Sequence, residues 1–192
     1  MPYLIVVFSL LFSVAQANQA AQLKSGVFDP PYPAPEFVLP GSNGSEFKLS
    51  AQRGKLIVLG FGFSHCPNVC PVTLATLAQV QKRLGELSAS VQVVYITVDP
   101  ERDDAARLKE YLGLFDSHFI GLTGAANALQ SVREAYGVMA TKAAMPNEQS
   151  GYTVHHSSSL YLIDRSGRLR ALVPYGKSAD DIVHDIKLLL QR

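Results

Sequence analysis

The sequence predicts an α/β sandwich, a buried sheet with helices packed against it. Three observations predict it. The runs "KLIVLGFGF" (55–63) and "VQVVYITV" (91–98) have the near-continuous hydrophobicity of strands covered on both faces. Each is followed by residues that are apolar at helical spacing. A strand–turn–strand segment and a last helix then close the chain. The 192 residues suffice for one domain with a real core, and 47% hydrophobic against 17% charged side chains marks the chain as globular. A net charge of +1, with no basic cluster, excludes a basic nucleic-acid-binding face.

Taken in order, the stretch "MPYLIVVFSLLFSVAQA" (1–17) carries no charged side chain. Its apolar run, Tyr3 to Ala15, is short for a bilayer span, and Ala15-Gln16-Ala17 fits a signal-peptidase site. Residues 1–17 therefore read as an export signal, with an uncleaved membrane anchor as the alternative. The n-region has no Lys or Arg, which departs from the usual signal pattern. Export places the chain in the periplasm or another extracytoplasmic compartment, where disulfides are permitted. Residues 18–33, rich in Ala and Pro, read as an extended arm, and 34–192 as the domain.

Within the domain, Leu77, Val80, Leu84 and Leu87 mark the first helix, and Ala105, Leu108 and Leu112 the second. "FIGLT" (119–123) is a third strand. "AANALQSVREAYG" is a helix stopped by Gly137. A loop with Met145, Pro146 and Gly151 follows. "SSLYLIDRSGRLRALV" is two strands joined at Arg165 to Gly167. The last helix starts at Ser178, an N-cap with Asp180 and Asp181 in its first turn, and buries Ile182, Ile186, Leu189 and Leu190. In such sheets chemistry lies beyond the C-terminal ends of the parallel strands. The segment after the first core strand and Asp99 after the second should therefore meet at one edge.

That first segment, "FGFSHCPNVCPVTL", holds both cysteines of the chain, Cys66 and Cys70. Each precedes a proline, which disfavours helical backbone at the cysteine, so the pair belongs to a loop. Pro71 suits the first helical position, which sets Cys70 at or near the N-cap, where the helix end favours its thiolate. A staple over so short a loop constrains little chain. A thiol–disulfide enzyme more often uses C-x-x-C. A soft-metal clamp needs a further donor, and histidine is the candidate. Of the five histidines, His184 lies off the apolar face of the last helix, His118 has nothing to mark it, and His65 need not share the direction of Cys66. His155 and His156 precede the strand "LYLID". Neighbours in an extended chain point to opposite faces, so only one can face the cysteines, and the residues alone do not say which.

"FGFSHCPNVCP", "VDPERD" (98–103) and "YTVHHSSSLYLID" (152–164), in this order, resemble the Sco/SenC family of copper chaperones. The resemblance runs from about Ala34 to Leu189. It implies a thioredoxin-like central sheet flanked by helices, with an N-terminal extension. It also implies one copper ion, Cu(I) and in some states Cu(II), bound by Cys66, Cys70 and His156. His155 stands where many members have Asp and is the substitute ligand. "IDRSG" departs from the commoner Asp-Pro turn, and a short cleaved signal departs from members that keep an anchor. The implied role is assembly of the copper centre of cytochrome c oxidase. The implied partners are its copper-receiving subunit, a thioredoxin-like reductant and a copper donor, with the protein itself a monomer.

Soft Cu(I) suits two thiolates and an imidazole, and a three-coordinate site leaves room for a partner's ligand. Thioredoxin-like oxidoreductases generally carry a proline where "YTVHHSSSLYLID" has none, which counts against an enzyme. A reductase of partner thiols, using Cys66 and Cys70, or a redox sensor remains the alternative. Asp99 is expected to hydrogen-bond a ligand from behind, or else to be a simple strand-end turn residue. Met139 and Met145 read as core or loop residues. Arg102, Asp103 and Asp104 read as a solvated helix start.

Overall fold

A computed structural model describes residues 22–145 and 151–191. The segment read as an export signal, and Pro146, lie outside the described residues. The strands are β1 (Gly26–Pro33), β2 (Val38–Pro40), β3 (Glu46–Lys48), β4 (Leu56–Gly62), β5 (Val91–Thr97), β6 (Ile120–Leu122), β7 (Ala140–Ala144), β8 (Tyr152–His156), β9 (Leu160–Ile163) and β10 (Arg168–Val173). The helices are α1 (Val69–Leu84), α2 (Ala105–Gly113), α3 (Ala126–Ala135) and α4 (Ala179–Leu190).

Six strands form the central sheet in the order β1-β10-β9-β4-β5-β6. β4, β5 and β6 are parallel, whereas β9, β10 and β1 continue the sheet antiparallel. Every residue of β4 is buried, as its unbroken hydrophobicity predicts for a strand covered on both faces. α1 packs beside α4, and α4 turns Ile182, Ile186 and Leu189 inward, with Leu190 at the margin of the core. Ser178 caps α4 as expected, its hydroxyl accepting from the Asp181 amide at 3.2 Å. The turn between β9 and β10 is closed by Asp164, whose Oδ1 accepts from the amides of Ser166 and Arg168, both at 3.0 Å.

Three local expectations change. The extended arm is extended, but Gly26–Pro33 of it pairs with β10 as an edge strand of the sheet. Leu87 is 42% exposed, because α1 ends at Gly85, whose φ of +59° breaks the helix before a 3-10 turn over 85–90. The segment before "LYLID" is not only loop: β7 and β8 form an antiparallel ribbon of their own. β7 is largely exposed and has no apolar alternation, so it lacked the signal by which strands are read.

The expected meeting of strand ends holds. Gly62 of β4 pairs with Thr97 of β5, and the Val98 amide donates to the Gly62 carbonyl at 2.8 Å. The cysteine loop and the segment from Asp99 thus leave the sheet side by side.

Candidate metal centre

α1 begins with Val69, after Asn68 at the cap position. Cys70 is therefore the second helical residue and Pro71 the third, two places further in than expected. Pro71 remains within the first turn, where its missing N–H is no loss. The earlier start changes which sulfur meets the helix end. The amide of Cys70 points back and donates to Cys66 Sγ at 3.4 Å. Cys70 itself is 2% exposed, while Cys66 is half-buried. Both thiols are free.

The electrostatics follow the same geometry. A hydrogen bond from the Cys70 thiol, opposed by burial and assisted by His156 and backbone amides, holds Cys66 well below the ordinary thiol range. The bond to Cys66, and then burial, push the Cys70 thiol up. Cys66, not Cys70, is the sulfur that ionises first.

β8 delivers the histidine. Val154 is buried and His155 exposed, so the strand's alternation turns His156 toward the cysteines. His156 Nε2 lies 3.6 Å from Cys70 Sγ. Its Nδ1 is 2.8 Å from the carbonyl oxygen of Ser157. Only a protonated Nδ1 can bond that carbonyl, so Nε2 is the ring nitrogen that faces the sulfurs and would offer its lone pair to a metal. The ring of Phe63 packs edge-on against the imidazole, with centroids 5.9 Å apart. Of the other histidines, His65 contacts Ser64, His118 contacts Asp116 and His184 contacts Asp185.

With metal–sulfur and metal–nitrogen bonds of about 2.3 and 2.0 Å, a shared ion at trigonal or tetrahedral angles sets sulfur and nitrogen about 3.5 to 3.7 Å apart. The Cys70–His156 spacing matches that range. Among the described residues no three His, Cys, Asp or Glu side chains are gathered tightly enough to hold an ion without movement. Cys66, on a non-helical loop and only partly buried, is the donor with room to turn. A cleft of about 320 Å³ opens over the group, lined by Phe63, Cys66, Val69, Met145, His155 and His156. His155 thus sits on the rim. Met145 is a loop residue but reaches the same cleft, whereas Met139 is 78% exposed outside its lining.

Asp99 acts through other residues. It is fully buried, with Oδ2 accepting from Arg102 Nε at 2.5 Å and Oδ1 from the Tyr152 hydroxyl at 2.8 Å. Its bonds reach neither cysteine nor His156. Arg102 donates to the Tyr152 carbonyl at 3.1 Å and lies 3.8 Å from the centroid of the Tyr152 ring. Asp99 and Arg102 together tie the start of β8, and with it His156, to the end of β5.

The solvated helix start is correct only for Asp104, which accepts from the Arg107 amide at 2.7 Å and caps α2. Asp103 is fully buried and accepts from the Ser64 amide (3.0 Å), the Ser64 hydroxyl (2.6 Å) and the Thr97 hydroxyl (2.7 Å). It locks the root of the cysteine loop to β5. The available signal was the pair of hydroxyl residues, Ser64 and Thr97, at two strand ends that should adjoin.

A family model described as SCO1/SenC matches residues 29–191. The chain belongs to the SCO1/SenC family. The SCO2-like protein of Rickettsia prowazekii is 36% identical over 132 residues, which are 69% of this chain and 64% of that protein. A putative copper-binding protein of Stutzerimonas stutzeri is 36% identical over 137 residues, 71% of this chain and 66% of that one. The match spans less than two thirds of the length of the Rickettsia relatives. The copper-bound structure of Bradyrhizobium japonicum ScoI superposes with a TM-score of 0.74 at 34% identity, covering 82% of this chain and 99% of that one. The fold is the thioredoxin-like one of SCO1/SenC structures, a central sheet flanked by helices. Among the described residues no helix is long and apolar enough to cross a membrane.

Proposed function

We propose that this SCO1/SenC chain carries one copper ion on Cys66, Cys70 and His156 and delivers it to the copper-receiving subunit of cytochrome c oxidase, outside the cytoplasm. The observation that carries the proposal is the 3.6 Å approach of His156 Nε2 to Cys70 Sγ beneath an open cleft. Two thiolates and one imidazole are a donor set for Cu(I), and the imidazole extends it to Cu(II). Loading with Cu(I) displaces a proton from Cys70, because Cys66 is already ionised. The open side of the cleft lets a recipient's thiolate enter before the chain's own ligands leave, so copper passes by ligand exchange without a change of oxidation state. A copper donor would load the site by the reverse exchange. A thioredoxin-like reductant is required, since an oxidised pair has no thiolates to offer.

The test is copper analysis of the reduced protein beside Cys66→Ala, Cys70→Ala and His156→Ala. Wild type is expected to retain one copper and each variant to lose it. Wild type that retains none overturns the proposal.

The thiolate character of Cys66 favours a second reading, reduction of a partner disulfide. Cys66 sulfur attacks one partner sulfur and forms a mixed disulfide. Cys70, giving up its proton, then attacks Cys66. The chain ends as a Cys66–Cys70 disulfide and the partner as two thiols, a two-electron exchange. Trapping of the mixed disulfide by Cys70→Ala, and not by Cys66→Ala, is the expected signature. Absence of any adduct with a disulfide-bearing recipient peptide overturns it.

A further inference from the structure

Tyr95 lies on β5, opposite Gly60 of β4, and is 1% exposed. Its hydroxyl is buried and makes no well-formed hydrogen bond among the described residues, with the Cys70 thiol as its weak neighbour. A buried phenol without a partner is costly, and a phenylalanine would fill the same space without that cost. The surroundings of the hydroxyl are specific. A Cβ built on Gly62 would lie 1.7 Å from Tyr95 Oη and 2.8 Å from Cys70 Sγ. The oxygen and the sulfur therefore converge on one spot, kept clear because residue 62 has no side chain.

We propose that the Tyr95 hydroxyl is a hydrogen-bond donor to the Cys70 sulfur when that sulfur is a copper-bound thiolate, and that it sets the strength of copper binding. The proposal rests on Cys70 being a copper ligand. A neutral thiol is a weak acceptor. A thiolate is a strong acceptor, and in a buried position it needs donors to offset lost hydration. The hydroxyl therefore has a good partner only after Cys70 gives up its proton. An interaction stronger in the loaded state than in the copper-free state adds to affinity more than to the stability of the copper-free fold.

The test compares reduced wild type with Tyr95→Phe, full chain, by Cu(I) competition against a chromogenic chelator and by thermal unfolding of the copper-free proteins. Tyr95→Phe is expected to bind one Cu(I) about tenfold more weakly, the scale of one hydrogen bond to a charged group. Its copper-free melting temperature is expected to be equal to or above that of wild type. Equal affinity in the two proteins overturns the assignment of Tyr95 while leaving the copper site intact. A variant that loses affinity and copper-free stability together shows a packing role and also overturns it. Wild type that binds no Cu(I) removes the copper site itself, and the proposal with it.

Discussion

The amide of Cys70 donates to the sulfur of Cys66 at 3.4 Å, so the positive end of α1 acts on the cysteine outside the helix. The Cys70 thiol, bonding Cys66, holds Cys66 low with help from this amide, while that same bond and burial push Cys70 up. Cys66 is expected to react with iodoacetamide at mildly acidic pH, where Cys70 does not. Peptide mapping after brief alkylation at pH 5 to 6, roughly three units below an ordinary thiol, reads this directly. Label on Cys70 first would reverse the assignment.

The same inequality makes the reduced fold pH-dependent in both directions. Cys66, whose pKa is depressed on folding, contributes stability that is present above the ordinary thiol pKa and lost as pH falls toward its folded value. Cys70, whose pKa is raised, contributes stability that is present below the ordinary thiol pKa and lost as pH rises toward its folded value. Their joint contribution peaks near about pH 8.5, the ordinary thiol value. Urea unfolding of the reduced chain from pH 5 to 10, beside a Cys66→Ser, Cys70→Ser double variant, isolates it. Parallel curves for the two proteins would contradict the inequality.

His156 and His155 are neighbours with opposite orientations, which gives a sharp contrast. His156→Ala is expected to weaken copper binding by about a hundredfold, the loss of one metal–imidazole bond with its oriented ring. His155→Ala, on the rim of the cleft, is expected to change it by less than about twofold. Competition titration of the two variants side by side measures both. Equal losses would mean that the strand turns over when metal binds.

Asp99 and Arg102 form a nearly dry ion pair, with side chains 0% and 15% exposed. Asp99→Ala leaves the guanidinium buried against Tyr152 and Phe63 without its carboxylate. A loss of about 3–5 kcal/mol in urea unfolding is expected, as for other broken buried pairs. Because the pair anchors β8, copper affinity should fall as well. Arg102→Lys keeps the charge but loses the planar stack, and it should recover only part of either loss.

Gly62→Ala places a methyl group within the van der Waals shells of Tyr95 Oη and Cys70 Sγ. Overpacking of this kind costs about 1–3 kcal/mol, and more if β4, buried along its whole length, cannot shift. A lowered melting temperature together with weakened copper binding is the expected result. An unchanged melting curve would mean that the site is looser than its distances indicate.

Hydrophobic pattern and local chain chemistry were enough for β4, β5, the helices α2 and α3, and α4 with its Ser178 cap, since burial period and capping are properties of short windows. The same local information brought both cysteines to a helix start, and strand order brought Asp99 to the same sheet edge. The choices between neighbours waited for the tertiary structure. Whether His155 or His156 meets the cysteines depends on the face that β8 turns to α1, and β8 pairs with a strand that has no hydrophobic signature. Which cysteine ionises depends on the contact between the two thiols and on the burial of Cys70, with a start of α1 at Val69 adding the Cys70 amide to Cys66. The burial of Asp103, and the turning of Asp99 toward Arg102, depend on donors that lie far away in sequence. A carboxylate in a polar run reads as solvated until the chain folds hydroxyl and guanidinium donors over it.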